Sequence, residues 1–330
     1  MTLARLALMA LVLAGVAGAT PVRADVAEVV AGHILPGYAR FAAATAALDE
    51  AAGASCDPAA LTLPYHAAFD AWVGVQHIRL GPVEEQGRAL AIAFWPDPKG
   101  LGAKAQRALL TGDPALLTPA RFAEQSVAAR GLLALERLLY PAEPLAADSC
   151  ALIRATTADL ARIAAEVAQD WNAGGYGARL VTAGAEGNTT FLSVDEARQA
   201  LVTQVAAGLE FAAAQRLGRP LASFDTPRPE RAEARASGRS LRNVTLSVQA
   251  LRAMVVALVD EAPQTLAALD AAIARAEALD DPVFAGVADP QGRLKVEILQ
   301  QAIEAAHAAV VAEVAPSLGV GVGFNSQDGD

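Results

Sequence analysis

Along nearly the whole chain, apolar residues recur at three- and four-residue spacing, and the runs break only at clusters of glycine and proline. That spacing covers one face of an α-helix, whereas the strict alternation of a half-buried strand is scarce. The pattern predicts helices over 26–52, 58–80, 99–111, 118–140, 150–172, 193–217, 239–260, 263–279 and 291–314. Linkers are marked by "LGPVEEQG", "WPDPKG", "YPAEPLAAD", "NAGGYG" and "FDTPRPERAEARASG". The fold class expected is all-α. The break at "YPAEPLAAD" leaves similar numbers of helices on either side, which predicts two bundle-like domains, residues 25–145 and 146–330.

One helix carries an anomaly. In "RGLLALERLLY", Leu132, Leu133, Leu135, Leu138 and Leu139 spread over a broad arc, with Arg130 and Arg137 on the other side. Glu136 falls inside the leucine arc. An ionised carboxylate there is costly unless a cation, a donor or a metal meets it. A counterpart lies in "PYHAAFDAWVGVQHIRLGP", where Phe69, Trp72, Val75, Gln76 and Arg79 share a helical face opposite His66, Asp70, Gly74 and His77. The two apolar faces thus hold charges of opposite sign, which predicts an Arg79–Glu136 pair, either purely structural or part of a ligand site.

The remaining chemistry is sparse. His66 and His77 are separated by about 16 Å along a helix and cannot share one ion, so His66 with Asp70 is a two-ligand fragment on a solvated face. His33 and His307 stand isolated. In "GRSLRNVTLSVQALRAM", Leu241, Val244, Val248, Leu251 and Val255 form a core stripe, while Arg239, Arg242 and Leu246 face solvent or a groove. No HExxH, GxSxG or Walker loop occurs, and "GVGVG" lacks the strand and helix of a dinucleotide site. The ending "GFNSQDGD" has no closing glutamate and is not an EF-hand; it reads as an unordered tail or one that docks with its acids aimed at something.

Composition adds a compartment. Arg5, the apolar run "LALMALVLAGVAGA" and small residues Val22 and Ala24 read as a removed secretory signal, residues 1–24. No later run reads as long and apolar enough to span a bilayer. Removing Arg5 and Arg23 with the signal takes the net charge from −10 to −12, which argues against nucleic acid as a partner. In an exported protein the two cysteines, Cys56 and Cys150, are expected to form a disulfide closing a loop of about 95 residues.

Taken together, "GPVEEQGRALAIAFWPDPKG", "RGLLALERLLY", "GRSLRNV" and "GFNSQDGD" resemble the imelysin family of exported bacterial proteins, in the same order and over nearly the whole mature chain. The resemblance implies two helical bundles side by side, with motif residues gathered around a groove between them. It also implies a periplasmic location and a link with iron uptake; the founding member was described as a peptidase. The family motif is Gly-x-His-x-x-Glu. Here Gly131 and Glu136 match, but Leu133 stands at the histidine position, which removes the imidazole that a zinc-peptidase mechanism would use. The function expected is therefore non-catalytic binding of a metal ion or small metal-bearing ligand. The ligand-binding set is Glu136, Arg79, Trp95, Arg239, Arg242, Asn243, Asn325 and Asp328. Glu136 and Asp328 are the metal ligands, for iron or another oxygen-liganded cation. A membrane-associated iron-uptake protein is the expected partner. The alternatives are a peptidase of the imelysin type and a periplasmic interaction protein with no small ligand.

Overall fold

The computed structural model describes residues 25–172 and 174–322, so the signal segment and the "GFNSQDGD" tail with Asn325 and Asp328 lie outside the described residues. Twelve labels suffice for its helices. The first, α1, runs over 26–54 with a π-helical turn at Val29–Ile34. It is followed by α2 (Pro58–Val73), α3 (Arg88–Ile92), α4 (Leu101–Thr111), α5 (Pro119–Ala123) and α6 (Gly131–Leu139). Then come α7 (Cys150–Trp171), α8 (Tyr176–Val181) and α9, which covers 194–221 with a π-helical turn at Phe211–Leu217. The chain ends in α10 (Ser240–Leu258), α11 (Pro263–Ala278) and α12 over 290–317. Among the described residues the β pairing is a single bridge, Ser223 to Thr226.

Local chemistry explains the starts of these helices. Asp57 and Asp289 accept from backbone N–H groups of the first turn, and a proline follows each at a position where a missing N–H costs nothing. Ser193 accepts from Glu196 N–H while the Glu196 carboxylate accepts from Leu192 N–H at 2.6 Å, a reciprocal cap of the capping-box type. Three expectations are corrected. The helix predicted over 58–80 ends at Val73, so Arg79 sits in the irregular segment after the turn at 74–77 and not on the Trp72 face. The stretch 118–140 is divided, because Ser126 caps a short 3-10 turn and Gly131 takes a φ of +73°. Finally, α10 is by length and hydropathy able to cross a membrane (19 residues, mean hydropathy 1.2), contrary to the sequence reading; here its Val244, Val248, Leu251 and Val255 stripe is fully buried against neighbouring helices.

In the packing, α1 lies between α2 and α7, and α6 packs on α2 and α7. A second group stacks α10 on α11, α11 on α12, and α12 on α9. Helix α10 also reaches α1 and α2, and the buried apolar residues of both groups form one continuous cluster. The packing does not change at residue 145: α7 belongs with α1, and the Cys56–Cys150 disulfide, with Cα atoms 5.3 Å apart, ties its first turn to the end of α1.

Candidate functional site

Two features fix the helix that carries Glu136. A Cβ on Gly131 would lie 2.2 Å from the carbonyl oxygens of Ala91 and Ile92, so only glycine lets α6 start against the end of α3. The neighbouring Arg130 is buried and bidentate to Asp159 of α7, at 2.8 and 3.1 Å. With α6 set in this way Glu136 is 7 % exposed, on the buried side that its helical phase predicts.

Its partner is not the predicted one. Oε1 of Glu136 accepts from the Ser237 N–H at 2.8 Å and the Ser237 hydroxyl at 2.6 Å. Burial pushes the Glu136 carboxyl up, the two Ser237 bonds oppose this, the Glu233 charge adds to it and Arg137 opposes it. Arg79 pairs instead with Glu84, both side chains 38 % exposed, while its backbone N–H donates to Gln204 at 2.8 Å. The expected Arg79–Glu136 pair is therefore replaced by two local solutions. Early termination of α2 moved Arg79 away, and the linker before α10 brought two donors to Glu136.

The other predicted residues build a network between α2 and α10. Arg239, 1 % exposed, donates to His66 Nδ1 at 2.8 Å and to Asp70, with its guanidinium 4.6 Å from the Phe69 ring centre. Arg242 donates to the same carboxylate at 2.9 Å. Burial would raise the Asp70 carboxyl, but hydrogen bonds from Arg242 and Arg239 hold it below its usual range. Asn243, fully buried, donates to Glu233 at 2.9 Å, and the same carboxylate takes Arg216 at 2.7 Å. His66 and Asp70 are thus neither a metal fragment nor a solvated face. His33 is not isolated either: its Nε2 lies 2.9 Å from Nε2 of His77, both rings buried.

A groove of about 480 Å³ opens beside Glu136. One wall is the 94–98 linker with Leu133 and Arg137; the other is Arg219 and the 230–236 segment. Trp95 stands in the first wall, with the Arg219 guanidinium 5.6 Å from its ring centre and Phe211 edge-on at 6.0 Å. Leu133 lines the groove where the family motif has histidine. Among the described residues no three His, Cys, Asp or Glu side chains are grouped to hold a metal ion. Glu136 has one oxygen already engaged twice, and Asp328, its expected companion ligand, lies outside the described residues.

Sequence reasoning missed Ser237, Glu233 and the arginines of the far wall. All but Arg219 lie in "FDTPRPERAEARASG", and the signal available was the density of arginine in that linker, not any periodicity.

Three comparisons bear on this architecture. The imelysin-like protein of Psychrobacter arcticum 273-4 superposes with a TM-score of 0.73 at 21 % identity, over 91 % of this chain and 96 % of that one. A putative iron-regulated protein A precursor from Parabacteroides distasonis ATCC 8503 gives 0.72 at 14 % identity, over 89 % of this chain and 96 % of that one. At those identities the likeness shows the fold. A search of curated proteins finds no match. The family model described as Imelysin matches residues 34–310, most of the sequence, and the chain belongs to the imelysin family.

Proposed function

We propose that this is an exported, non-catalytic protein of iron acquisition that receives a small metal-bearing ligand in the groove beside Glu136 and passes it to a membrane-associated partner. The observation that carries the reading is the placement of Glu136: a buried carboxylate on a groove wall, held in one orientation by Ser237 from the opposite segment. Such an acid is costly to keep unless its position is used. The Parabacteroides distasonis protein is named a putative iron-regulated protein A precursor, which supports both the link with iron and export. Among the described residues no three metal-ligating side chains are grouped at the groove, which favours a ligand that brings its own metal donors. Leu133 in place of histidine leaves the groove without an imidazole to serve as a base beside Glu136.

Calorimetric titration of the mature protein with ferric citrate tests this. Binding is expected with one site per chain, and Glu136→Gln weakens it roughly tenfold, the loss for one hydrogen bond to a charged group. Because burial already disfavours the ionised carboxylate, the glutamine variant folds at neutral pH at least as stably as the parent. No binding, or binding indifferent to the substitution, would reject the proposal.

A further inference from the structure

The chain carries a net charge of −10, yet the groove beside Glu136 is walled by four arginines against three acids. The acids are already committed. Asp97 accepts from the N–H groups of Leu101 and Gly102 at 2.9 and 2.7 Å, Glu230 lies 3.8 Å from Arg228, and Glu136 takes Ser237. Arg137 is committed too, donating to Gln106 at 2.6 Å and to the Ala128 carbonyl at 2.7 Å. Three cations remain. Among the described residues Arg219, Arg231 and Arg235 have no carboxylate within 4.0 Å, whereas Arg88, Arg130, Arg216 and Arg239 are each paired.

We propose that Arg219, Arg231 and Arg235 make the groove a receptor for a small oxyanion, a ligand with two or more carboxylate or phosphate groups. The inference names the ligand class for the groove of the proposed function, and rests on that reading only for the metal. Guanidinium forks match both anions in bidentate geometry, and cations clustered in a cleft focus field on a ligand that the acidic remainder of the surface repels. Arg219 shows the strain of the arrangement. Its Nε is buried with no hydrogen-bond partner, its guanidinium lies over Trp95, and burial together with the Arg231 charge pushes its pKa down. An oxyanion bound between these arginines removes that repulsion and supplies the missing acceptor. The cavity volume falls within the roughly 300–1,000 Å³ usual for small-molecule sites. Glu136 stands on the groove wall with its carboxyl biased toward the neutral form, and a neutral carboxyl donates to an anion where an ionised one repels it.

The test uses the mature protein and follows Trp95 fluorescence alongside calorimetry, with metal-free citrate as the carboxylate probe and pyrophosphate as the phosphate probe. One of them binds, with a spectral change that Trp95→Phe abolishes. Tighter citrate binding assigns carboxylate, tighter pyrophosphate binding assigns phosphate. Affinity falls at least tenfold in Arg231→Ala with Arg235→Ala, two exposed positions whose truncation leaves the circular dichroism unchanged, and falls again as salt is raised. The proposal is overturned if neither anion binds, or if the double variant binds as the parent does. A third titration, with ferric citrate, separates the two readings. Equal affinity for citrate with and without iron leaves the oxyanion site standing and removes the link with iron. Binding of ferrous ion alone, with no anion bound, does the reverse.

Discussion

At the residue scale, titratable groups in apolar surroundings are stabilised here in different ways. Glu136 is held by an N–H and a hydroxyl, Arg239 by a carboxylate, an imidazole and an aromatic face, and His77 by a second neutral imidazole. The His33–His77 contact requires one ring nitrogen to donate and the other to accept, so a proton on the acceptor sets two N–H groups against each other. Burial, helped by the charge of Arg40, lowers His33 to about 4, and burial with His33 lowers His77 well below 6.5. Between pH 6.5 and about 4 the unfolded rings therefore bind protons that the folded ones refuse. Stability is then complete above 6.5 and lost as pH falls, at about 1.4 kcal/mol per pH unit for each ring. Urea unfolding at pH 7.5, 6 and 5 should show this loss, reduced in His33→Asn. The raised Glu136 carboxyl contributes with the opposite sign above pH 4.5, so the difference between parent and variant isolates the histidines. Equal slopes in the two proteins would mean that the pair does not set the acid response.

At the element scale, α6 is the part on which the site depends. Its apolar period was enough to place Glu136 on the buried side, but its start was not legible: 118–140 reads as one helix, and the division arises from the Ser126 cap and the left-handed Gly131. Replacing Gly131 with alanine combines a disfavoured φ with a Cβ 2.2 Å from two backbone oxygens. The expected cost is about 3 kcal/mol or more, read as a lower urea midpoint with an unchanged slope. Alanine at Gly53, which meets nothing within 4 Å, is the control, and equal effects at the two positions would refute the argument. The opposite error occurred in α2. The sequence after Val73 keeps its apolar rhythm through Val75 and Ile78, but those residues are buried from a turn and the irregular segment after it, not from a helix, so a face assigned to Arg79 by helical phase had no meaning.

At the scale of the whole molecule, the disulfide closes a loop with a sequence separation of 94, linking the end of α1 to the start of α7. In the chain-entropy account such a loop restricts the unfolded chain by about 4.7 kcal/mol, an upper figure that native-state strain reduces. Replacing Cys56 and Cys150 together by serine should lower stability by roughly 2–4 kcal/mol, and a reducing agent should bring the parent to the same unfolding midpoint while leaving the variant unaffected. A midpoint for the parent that ignores the reductant would show that the bridge contributes nothing. What the sequence determined alone was the all-α class, most helix positions, the buried side of Glu136, the cysteine pairing and the family. Each follows from a local period, a composition or a motif. Partnerships were decided only by the tertiary structure: Ser237 for Glu136, Asp70 for Arg239 and Arg242, His33 for His77, and three unpaired arginines across from Trp95. Helical phase says which way a side chain faces, but not which distant segment arrives there, and the segment that built this site is an irregular linker with no period to read.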